Sequence, residues 1–427
     1  MDTCQPSCRP RSRLLTAATV IALVYLLILA VGMMSSGFSG AAGGQAAAAR
    51  LLEHWCRNPM AALMIGIFAT ALVQSSSTVT SIVVGLVASG LPVGFAIPII
   101  LGANIGTAIT STLVSMTFIT RPQEFHRAFA ASTVHSIFNV MAAVLFLVVE
   151  LVIAWVSPSG QGPLAMLSDM LTRFLLGGAD VADGIKSANF IKPLIDPVVA
   201  LFYHPRSGSG LLITLFGVRW GGVVLSLAAL GLIFTSIIRL GSILKANLIG
   251  RAERLFNTAI GRGPVTGMAS GAIMTILVQS SSTTTSLIIP MAGAGVVRME
   301  KVFPFTLGAN IGTTVTGLLA SMAGGENPDL SHAALQIALI HTLFNILGVV
   351  VIYGLPFLRI LPIRSARYLA EVCTRRRSLA FVYLIGLYFV LPLILLAISA
   401  LLTPSATSDI EPSPALEYHD PHQPPEE

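Results

Sequence analysis

The sequence predicts an all-α, polytopic membrane protein made of two inverted-topology repeats, each with a re-entrant helical hairpin and a discontinuous transmembrane helix. Three observations lead to this prediction. Of its 427 residues, 54% are hydrophobic and only 10% are charged, whereas about 25% of the residues in a soluble domain are charged. One set of polar motifs occurs twice within otherwise apolar sequence. The basic residues are distributed differently around the two copies, which predicts that the copies are inserted in opposite orientations.

The repeat is defined by motifs that keep their spacing. They are QSSST at Gln74 and Gln279, GANIGT at Gly102 and Gly308, and HSIFN at His135, which corresponds to HTLFN at His341. The similar stretches cover at least residues 59–150 and 264–356. Solenoid proteins repeat every 20–50 residues or so, so this much longer period indicates a duplicated membrane unit instead.

Residues 14–156 form the predicted first transmembrane repeat. A basic N-terminus at 1–13, which we place in the cytoplasm, precedes a first span at about 14–34. The hairpin at 59–90 has two apolar arms, each too short to cross about 30 Å of hydrocarbon at 1.5 Å per residue. Serine and threonine are favoured helix N-caps, so the second arm should begin at the serine motif. The next segment, 93–118, is predicted to be a helix broken at GANIGT, because two glycines weaken it there.

The second transmembrane repeat, 211–357, follows the same plan, with a hairpin at 264–295 and a discontinuous helix at 302–322. The charges of matching loops differ in sign. Loop 119–127 carries arginines, whereas its counterpart 323–332 carries acidic residues and neither Lys nor Arg. By the positive-inside rule, the two repeats are therefore predicted to be inserted in opposite orientations.

The remaining segments connect or flank the repeats. The polar, proline-rich residues 157–210 are predicted to form a connector on the outer side. Residues 46–57 and the basic residues 239–262 are predicted to lie at the membrane interface. Residues 358–402 contain a basic segment and a last apolar segment, which either crosses the membrane or re-enters it. The acidic, proline-rich residues 403–427 have the composition of a disordered tail.

The repeated polar motifs lie where hydrocarbon offers no hydrogen-bond partner, so another group must satisfy them. The N-terminus of a helix ending in the membrane binds anions, and unwound carbonyls suit sodium. We therefore predict a small oxyanion between the two serine motifs, bound by Gln74, Ser75, Ser76, Ser77, Gln279, Ser280, Ser281 and Ser282. Sodium is predicted beside it, held by carbonyl oxygens and by Asn104, Thr107, Asn310, Thr313 and Thr316.

A purely structural explanation competes with this prediction. Serine and threonine in membrane helices often donate to the carbonyl four residues earlier, or join neighbouring helices. That explanation accounts for one serine run more easily than for two motif pairs at matched spacing. His135, Ser136 and His341 are candidates for lining the pathway, although histidines on apolar faces are usually packing residues.

These motifs resemble those of the type II sodium-dependent phosphate cotransporter family. The resemblance rests on the paired QSSS and G-x-N-I-G-T motifs, on VHxxFN at 134–139 and on LPIR at 361–364, and it covers about 14–402. It implies sodium-coupled uptake of inorganic phosphate by alternating access, with both QSSS stretches at the phosphate. It also implies that Thr112 helps to bind phosphate. By the same resemblance, Asn139, Asn310, Thr313 and Thr316 contribute to the sodium sites.

The sequence departs from the family pattern at several positions. Ser136 stands where electrogenic members have aspartate, which predicts an electroneutral cycle with one sodium site altered. Ala309 replaces a serine that is common in the second broken helix. Phe118 and Arg121 lie near positions where some animal members have Gln and Asp. The short connector without cysteine resembles bacterial members rather than animal ones.

We therefore predict a multi-pass sodium/phosphate symporter of the inner cell membrane, and not an enzyme. Its partners are inorganic phosphate, Na⁺ as the coupling ion and the lipid bilayer. No cofactor and no nucleic acid are expected, and the oligomeric state stays open. Three alternatives remain: a carrier of sulfate, arsenate or a carboxylate, a non-transporting phosphate sensor, or an intramembrane hydrolase. The hydrolase would use Ser75 or Ser280 as nucleophile and His135 as base.

Overall fold

The structure, a computed structural model, describes residues 13–44, 47–50, 56–176, 192–205, 207–259, 263–324 and 328–402. Nearly all of these residues are helical, and the β structure among them is one isolated bridge between His204 and Ser209. The all-α prediction is therefore confirmed. Residues 1–12 and the predicted tail, 403–427, lie outside the described residues. So do residues 46 and 51–55 of the predicted first interfacial segment.

Seven helices in the described part of the chain are long and apolar enough to cross a membrane, by length and composition. They are Leu15–Ala42, Val93–Met116, Pro122–Val156, Leu211–Ile243, Met299–Ser321, Pro328–Tyr353 and Ser378–Leu402. Several of them leave large apolar side chains uncovered, such as Val148 and Val152 in one helix and Ile394 and Ile398 in another. Soluble proteins rarely expose apolar patches of this extent. The chain is therefore a multi-pass membrane protein.

Six helices of the first half have bounds within the described residues, beside a short helical stretch at 47–50. In chain order they are α1 (Arg13–Ala42), α2 (Pro59–Val73), α3 (Ser76–Ala88), α4 (Val93–Gly106), α5 (Ile109–Met116) and α6 (Pro122–Val156). Two shorter helices follow in the described part of the connector, α7 (Pro163–Leu175) and α8 (Lys192–Phe202). Proline occupies the first position of α2, α6 and α7, where its missing N–H costs no helical hydrogen bond.

The second half begins with α9 (Leu211–Ala259). This helix joins the predicted span to the basic segment that follows it, and only Gly217 departs from helical geometry, at φ 73°. The next helices are α10 (Pro264–Val278), α11 (Ser281–Gly293), α12 (Met299–Ser321) and α13 (Pro328–Gly348). The chain then forms α14 (Pro356–Arg375), α15 (Ser378–Ile385) and α16 (Leu391–Leu402), with π-helical turns at Val349–Tyr353 and Gly386–Val390.

The two predicted hairpins are built alike. In each, a first arm of 15 residues is followed by a second arm of 13 residues. At 1.5 Å per residue these arms are about 20–22 Å long, which is shorter than the roughly 30 Å of a hydrocarbon core. The second arms, α3 and α11, begin within the serine motifs, as the N-cap argument predicts.

The prediction of a discontinuous helix at 302–322 is wrong, because α12 is continuous through the second GANIGT motif. Its glycines serve close packing against α10. A Cβ on Gly308 would lie 1.8 Å from the Met268 carbonyl oxygen, and one on Gly271 would lie 2.0 Å from the Phe305 oxygen. Small residues at these points allow two backbones to approach closely, as membrane helices often do.

The first GANIGT motif combines the same packing with an interruption. Gly102 and Gly66 bring α4 against α2, since a Cβ on either would lie 2.0–2.1 Å from a backbone oxygen of the other helix. Here the helix ends at Gly106, and α5 begins at Ile109 after two intervening residues. The Ala108 N–H donates to the Ile105 carbonyl three residues earlier, which tightens the turn between the two helices.

The connector is fixed to the helix bundle by a buried carboxylate. Glu150, near the end of α6, accepts hydrogen bonds from the backbone N–H groups of Leu164 and Ala165 at 2.7 and 3.1 Å. These N–H groups belong to the first turn of α7, where a negative charge is favourable. Gln336 on α13 donates a hydrogen bond to the carbonyl of Ala165, which lies in α7. Helix α7 therefore joins the end of α6 to the start of α13.

Candidate functional site

The tips of the two hairpins share an unusual backbone geometry. Gln74 and Gln279 are the only non-glycine residues with positive φ in the described part of the chain, at 55° and 54°. Each ends the first arm in the left-handed conformation, and its N–H donates to the carbonyl of a threonine four residues earlier at 2.7 Å. Left-handed backbone is unfavourable for a residue with a side chain. Backbone conformations of this kind cluster at functional sites, so their presence at both motifs makes the two tips candidates for such a site.

The serine after each glutamine begins the second arm. The Ser75 hydroxyl accepts from the Thr78 N–H at 3.2 Å, and the Ser280 hydroxyl accepts from the Thr283 N–H at 3.1 Å. Each serine thus caps its helix and leaves N–H groups of the first turn without an intrahelical acceptor. Ser76, Ser77, Ser281 and Ser282 form these first turns, and all four are buried. Such helix starts attract anions.

The two tips contact each other. The Ser282 hydroxyl donates to the Gln74 carbonyl at 3.3 Å, although the residues lie 208 positions apart in sequence. The structure therefore brings together the two serine motifs that the sequence predicts to form one site. Their glutamines differ in environment: Gln279 is buried, and Gln74 is exposed.

A network of amide side chains lies between the repeats, with Asn139 at its centre. Asn139 donates to the Asn104 carbonyl at 2.8 Å and accepts from the Asn310 amide at 2.8 Å. The Asn104 amide in turn donates to Asn345 at 3.1 Å. All four asparagines are buried, and the structure brings the three predicted ones together. Such neutral oxygen donors suit a small hard cation, although this network satisfies much of its own hydrogen bonding.

The predicted threonines are arranged differently. Thr107, Thr112 and Thr313 each donate to the carbonyl four residues earlier, at 2.9–3.1 Å, which is the structural alternative weighed for them above. The structure thus shows no hydrogen bond between these three hydroxyls and the described serine motifs. Thr316 instead donates to the side-chain oxygen of Gln279 at 2.9 Å. It is therefore joined directly to the second tip.

The three predicted pathway residues are all buried. His135 Nε2 lies 2.8 Å from the side-chain oxygen of Asn310. The same ring nitrogen lies 3.2 Å from the side-chain nitrogen of Asn139, and Nδ1 has no partner in the described structure. Ser136 contacts the Tyr388 hydroxyl at 2.9 Å. His341 Nδ1 also lacks a partner among the described residues.

The structure gives no support to the serine hydrolase alternative. The Ser75 hydroxyl contacts Thr78 at 2.8 Å, and the Ser280 hydroxyl donates to Thr283 at 2.9 Å. Neither ring nitrogen of His135 is hydrogen-bonded to these serines, because Nε2 contacts Asn310 and Asn139, and Nδ1 has no partner among the described residues. A nucleophilic serine requires a base within hydrogen-bond reach, and neither serine has one among the described residues.

Two residues of this region were missed by the sequence reasoning. Asn345 is the repeat counterpart of Asn139, so duplication alone was a sufficient signal for it. Tyr388 lies in the last apolar segment, which has no counterpart in the repeat. No motif marks it, and its contact with Ser136 depends on tertiary packing.

Comparison with known proteins agrees with this geometry. Residues 26–157 and 232–359 match the family model described as Na⁺/Pi-cotransporter. The chain is 33% identical over 439 residues to sodium-dependent phosphate transport protein 2A of Rattus norvegicus, covering 91% of this chain and 68% of the relative. It is 30% identical over 460 residues to sodium-dependent phosphate transport protein 2B of Homo sapiens, covering 89% of this chain and 64% of the relative. No solved structure matches the chain.

Both matched stretches contain a complete copy of the motifs described above. The first includes one hairpin tip and Asn139, and the second includes the other tip and Asn345. The family model also leaves out most of the connector, which agrees with its role as a link between the copies. This chain is therefore a transporter rather than an enzyme, and it belongs to the Na⁺/Pi-cotransporter family.

Proposed function

We propose that the protein carries out sodium-coupled uptake of inorganic phosphate, with phosphate bound between the two hairpin tips. The observation that carries the proposal is the contact between Ser282 and Gln74, which joins the start of α11 to the end of α2. Two helix N-termini and their serine hydroxyls then supply N–H and O–H donors to one anion. The names of the curated relatives, which refer to sodium-dependent phosphate transport, support this choice of solute.

Alternating access requires that the hairpins enter the membrane from opposite sides. The base of the first hairpin, at Ser89, contacts Ser35 and Ser39 near the end of α1. The base of the second hairpin, at Gly293, accepts a hydrogen bond from Arg127 at the start of α6. The positive-inside rule puts Arg127 in the cytoplasm. These contacts support an inverted pair of re-entrant hairpins, the plan of many secondary transporters.

The sodium ions would bind beside the phosphate. Asn104, Asn139 and Asn310 meet at the junction of the two repeats, and their side-chain oxygens suit a cation of this kind. Thr316 and Gln279 add two more oxygens at the second tip. Ser136 replaces the aspartate of electrogenic relatives, so we propose an electroneutral cycle in the inner membrane of a bacterial cell.

Uptake of radiolabelled phosphate into proteoliposomes tests the proposal. We expect uptake with an inward sodium gradient and none with an equal gradient of choline. Gln74→Ala and Gln279→Ala should each abolish uptake and still insert into the membrane. Gln123→Ala is the matched control, because Gln123 is exposed at the start of α6, away from the serine motifs. Uptake by the wild type that ignores the sodium gradient would refute the proposal.

Competition separates phosphate from other oxyanions. Hydrogenphosphate has an O–H group that needs an acceptor, whereas sulfate has none at neutral pH. The Gln74 carbonyl, at the meeting of the two tips, offers such an acceptor. We therefore expect unlabelled phosphate and arsenate to compete, and sulfate to compete poorly. Equal competition by sulfate would favour a general oxyanion carrier, and binding without flux would favour a sensor.

A further inference from the structure

The two glutamines at the hairpin tips have the same backbone geometry but different side-chain contacts. The Gln279 side chain accepts from Thr316 at 2.9 Å and donates to the Ile276 carbonyl at 2.7 Å. The Gln74 side chain is exposed and makes no hydrogen bond to another described residue. The contact that fixes the second glutamine is therefore absent from the first.

The residue that could restore this contact is present. Asn104 and Asn310 correspond in the repeat, and the same shift of 206 positions relates Thr110 to Thr316. The Thr110 hydroxyl is buried and has no hydrogen-bond partner in the described structure. Neighbouring threonines such as Thr107 and Thr112 satisfy their hydroxyls with a carbonyl of their own helix. A buried hydroxyl without a partner is unfavourable, so this state leaves Thr110 available for another group.

The backbone of the two halves differs at the same place. Thr316 lies in the continuous helix α12, whereas Thr110 follows the interruption between α4 and α5 at Thr107 and Ala108. The half with the interrupted helix is the half that lacks the glutamine contact.

The two tips are also joined to each other. The Ser282 hydroxyl donates to the carbonyl of Gln74 itself, so a rearrangement of the second arm of one hairpin acts directly on the glutamine of the other. The same residue types form both pairs, and two alternative contacts of similar energy would make a two-state element. Only one of the contacts is formed in this structure.

We propose that Thr110 is a positioning residue of the transport cycle, and that Gln74 bonds to it in the state in which Gln279 releases Thr316. The two Gln–Thr contacts then alternate, and each closes one hairpin tip against the helix that follows it. This inference rests on the proposed transport function, but it concerns an exchange of contacts that can be measured without transport.

Cross-linking of paired cysteines tests the exchange. The full-length protein, with its four native cysteines replaced by serine, would carry Gln279→Cys with Thr316→Cys, or Gln74→Cys with Thr110→Cys. Mercury(II) links nearby thiols, and intact-mass measurement counts the links. The control pair is Gln74→Cys with Ser115→Cys, because Ser115 lies farther along α5 and bonds within its own helix. We expect both repeat pairs to be linked faster than the control.

A protein with all four of these substitutions gives the sharper result. Contacts that alternate allow one link or the other in a molecule, but not both. Failure of the 74–110 pair to exceed the control, with or without sodium and phosphate, would overturn the proposal. Two links in the same molecule would overturn it as well. A wild type that shows no uptake would instead count against the proposed function, so the two failures are distinguishable.

Single substitutions add a second readout. Thr316→Val removes the hydroxyl at nearly constant shape and should shift the population toward the 74–110 contact. Loss of one hydrogen bond of about 1 kcal/mol corresponds to about a fivefold change in a two-state equilibrium. We therefore expect about fivefold faster linking of the 74–110 pair, and Thr110→Val should favour linking of the 279–316 pair. Unchanged linking rates in both variants would contradict the exchange.

Discussion

The close packing of α4 against α2 gives the most direct prediction about stability. In Gly102→Ala, the added Cβ would lie 2.0 Å from the Leu63 carbonyl oxygen. Carbon–oxygen contacts between packed helices are about 3.3–3.6 Å long, so the helices would have to separate by about 1.3 Å. The obstacle is backbone, which cannot rotate away as a side chain can. We expect a destabilisation at or above the upper end of the roughly 1–3 kcal/mol usual for overpacking.

Gly94→Ala provides the matched control for this prediction. Gly94 lies in the same helix, and an added Cβ would have no neighbour within 4 Å. Its free energy of unfolding should therefore change by no more than about 0.5 kcal/mol. Thermal unfolding of both variants in the same detergent, followed by size-exclusion chromatography, compares them. The packing argument is wrong if Gly102→Ala unfolds at the same temperature as Gly94→Ala and retains full phosphate uptake.

Three further predictions concern buried groups near the site and at its edge. Ser136→Asp puts a carboxylate beside the Tyr388 hydroxyl, which lies 2.9 Å from the serine now, and should produce a phosphate-evoked current that the neutral control Ser136→Asn lacks. Asn139→Ala leaves the Asn310 amide and the Asn104 carbonyl without this partner, so we expect the free energy of unfolding to fall by about 2–4 kcal/mol. Burial raises the pKa of the Cys373 thiol to about 11, so N-ethylmaleimide should label it at pH 7.5 only after denaturation; fast labelling of the folded protein would be inconsistent with this.

Much of the fold could be predicted because duplication doubles every signal. The serine motifs predicted where the second hairpin arms begin, since Ser75 and Ser280 are strong N-caps. The same reasoning failed at the second GANIGT motif. Glycine lowers helix propensity, but it also permits close helix packing, and sequence alone does not show which effect dominates. In α12, the contact of Gly308 with α10 dominates.

The candidate site could be predicted in its residue types but not in its contacts. The serine motifs meet, and Asn104, Asn139 and Asn310 form one network; the paired motifs suggested Asn104 and Asn310, and the family resemblance suggested Asn139. The difference between Gln74 and Gln279 could not be predicted, because the sequences of the two tips are identical at this point. It arises from the conformation of each half. A duplicated sequence therefore identifies the members of a two-state contact but not the half in which the contact is formed.

The absence of charge at the site gives a reason for sodium coupling and a last prediction. Among the residues whose side-chain burial is described, Glu150 is the only buried Asp, Glu, Lys or Arg, and it accepts hydrogen bonds from the start of α7. A phosphate between the tips would therefore face dipoles and hydroxyl groups without a protein cation. An unpaired anion in a desolvated site is strongly unfavourable, so phosphate should bind only together with sodium.

Equilibrium binding of labelled phosphate to the purified protein checks this reasoning without any membrane gradient. We expect phosphate affinity to fall at least tenfold when sodium is replaced by choline at constant ionic strength, which corresponds to about 1.4 kcal/mol of coupling. By reciprocity, phosphate should raise sodium affinity by the same factor. Equal phosphate affinity in both salts would mean that neutral donors suffice to hold the anion, and that coupling arises only in the conformational step.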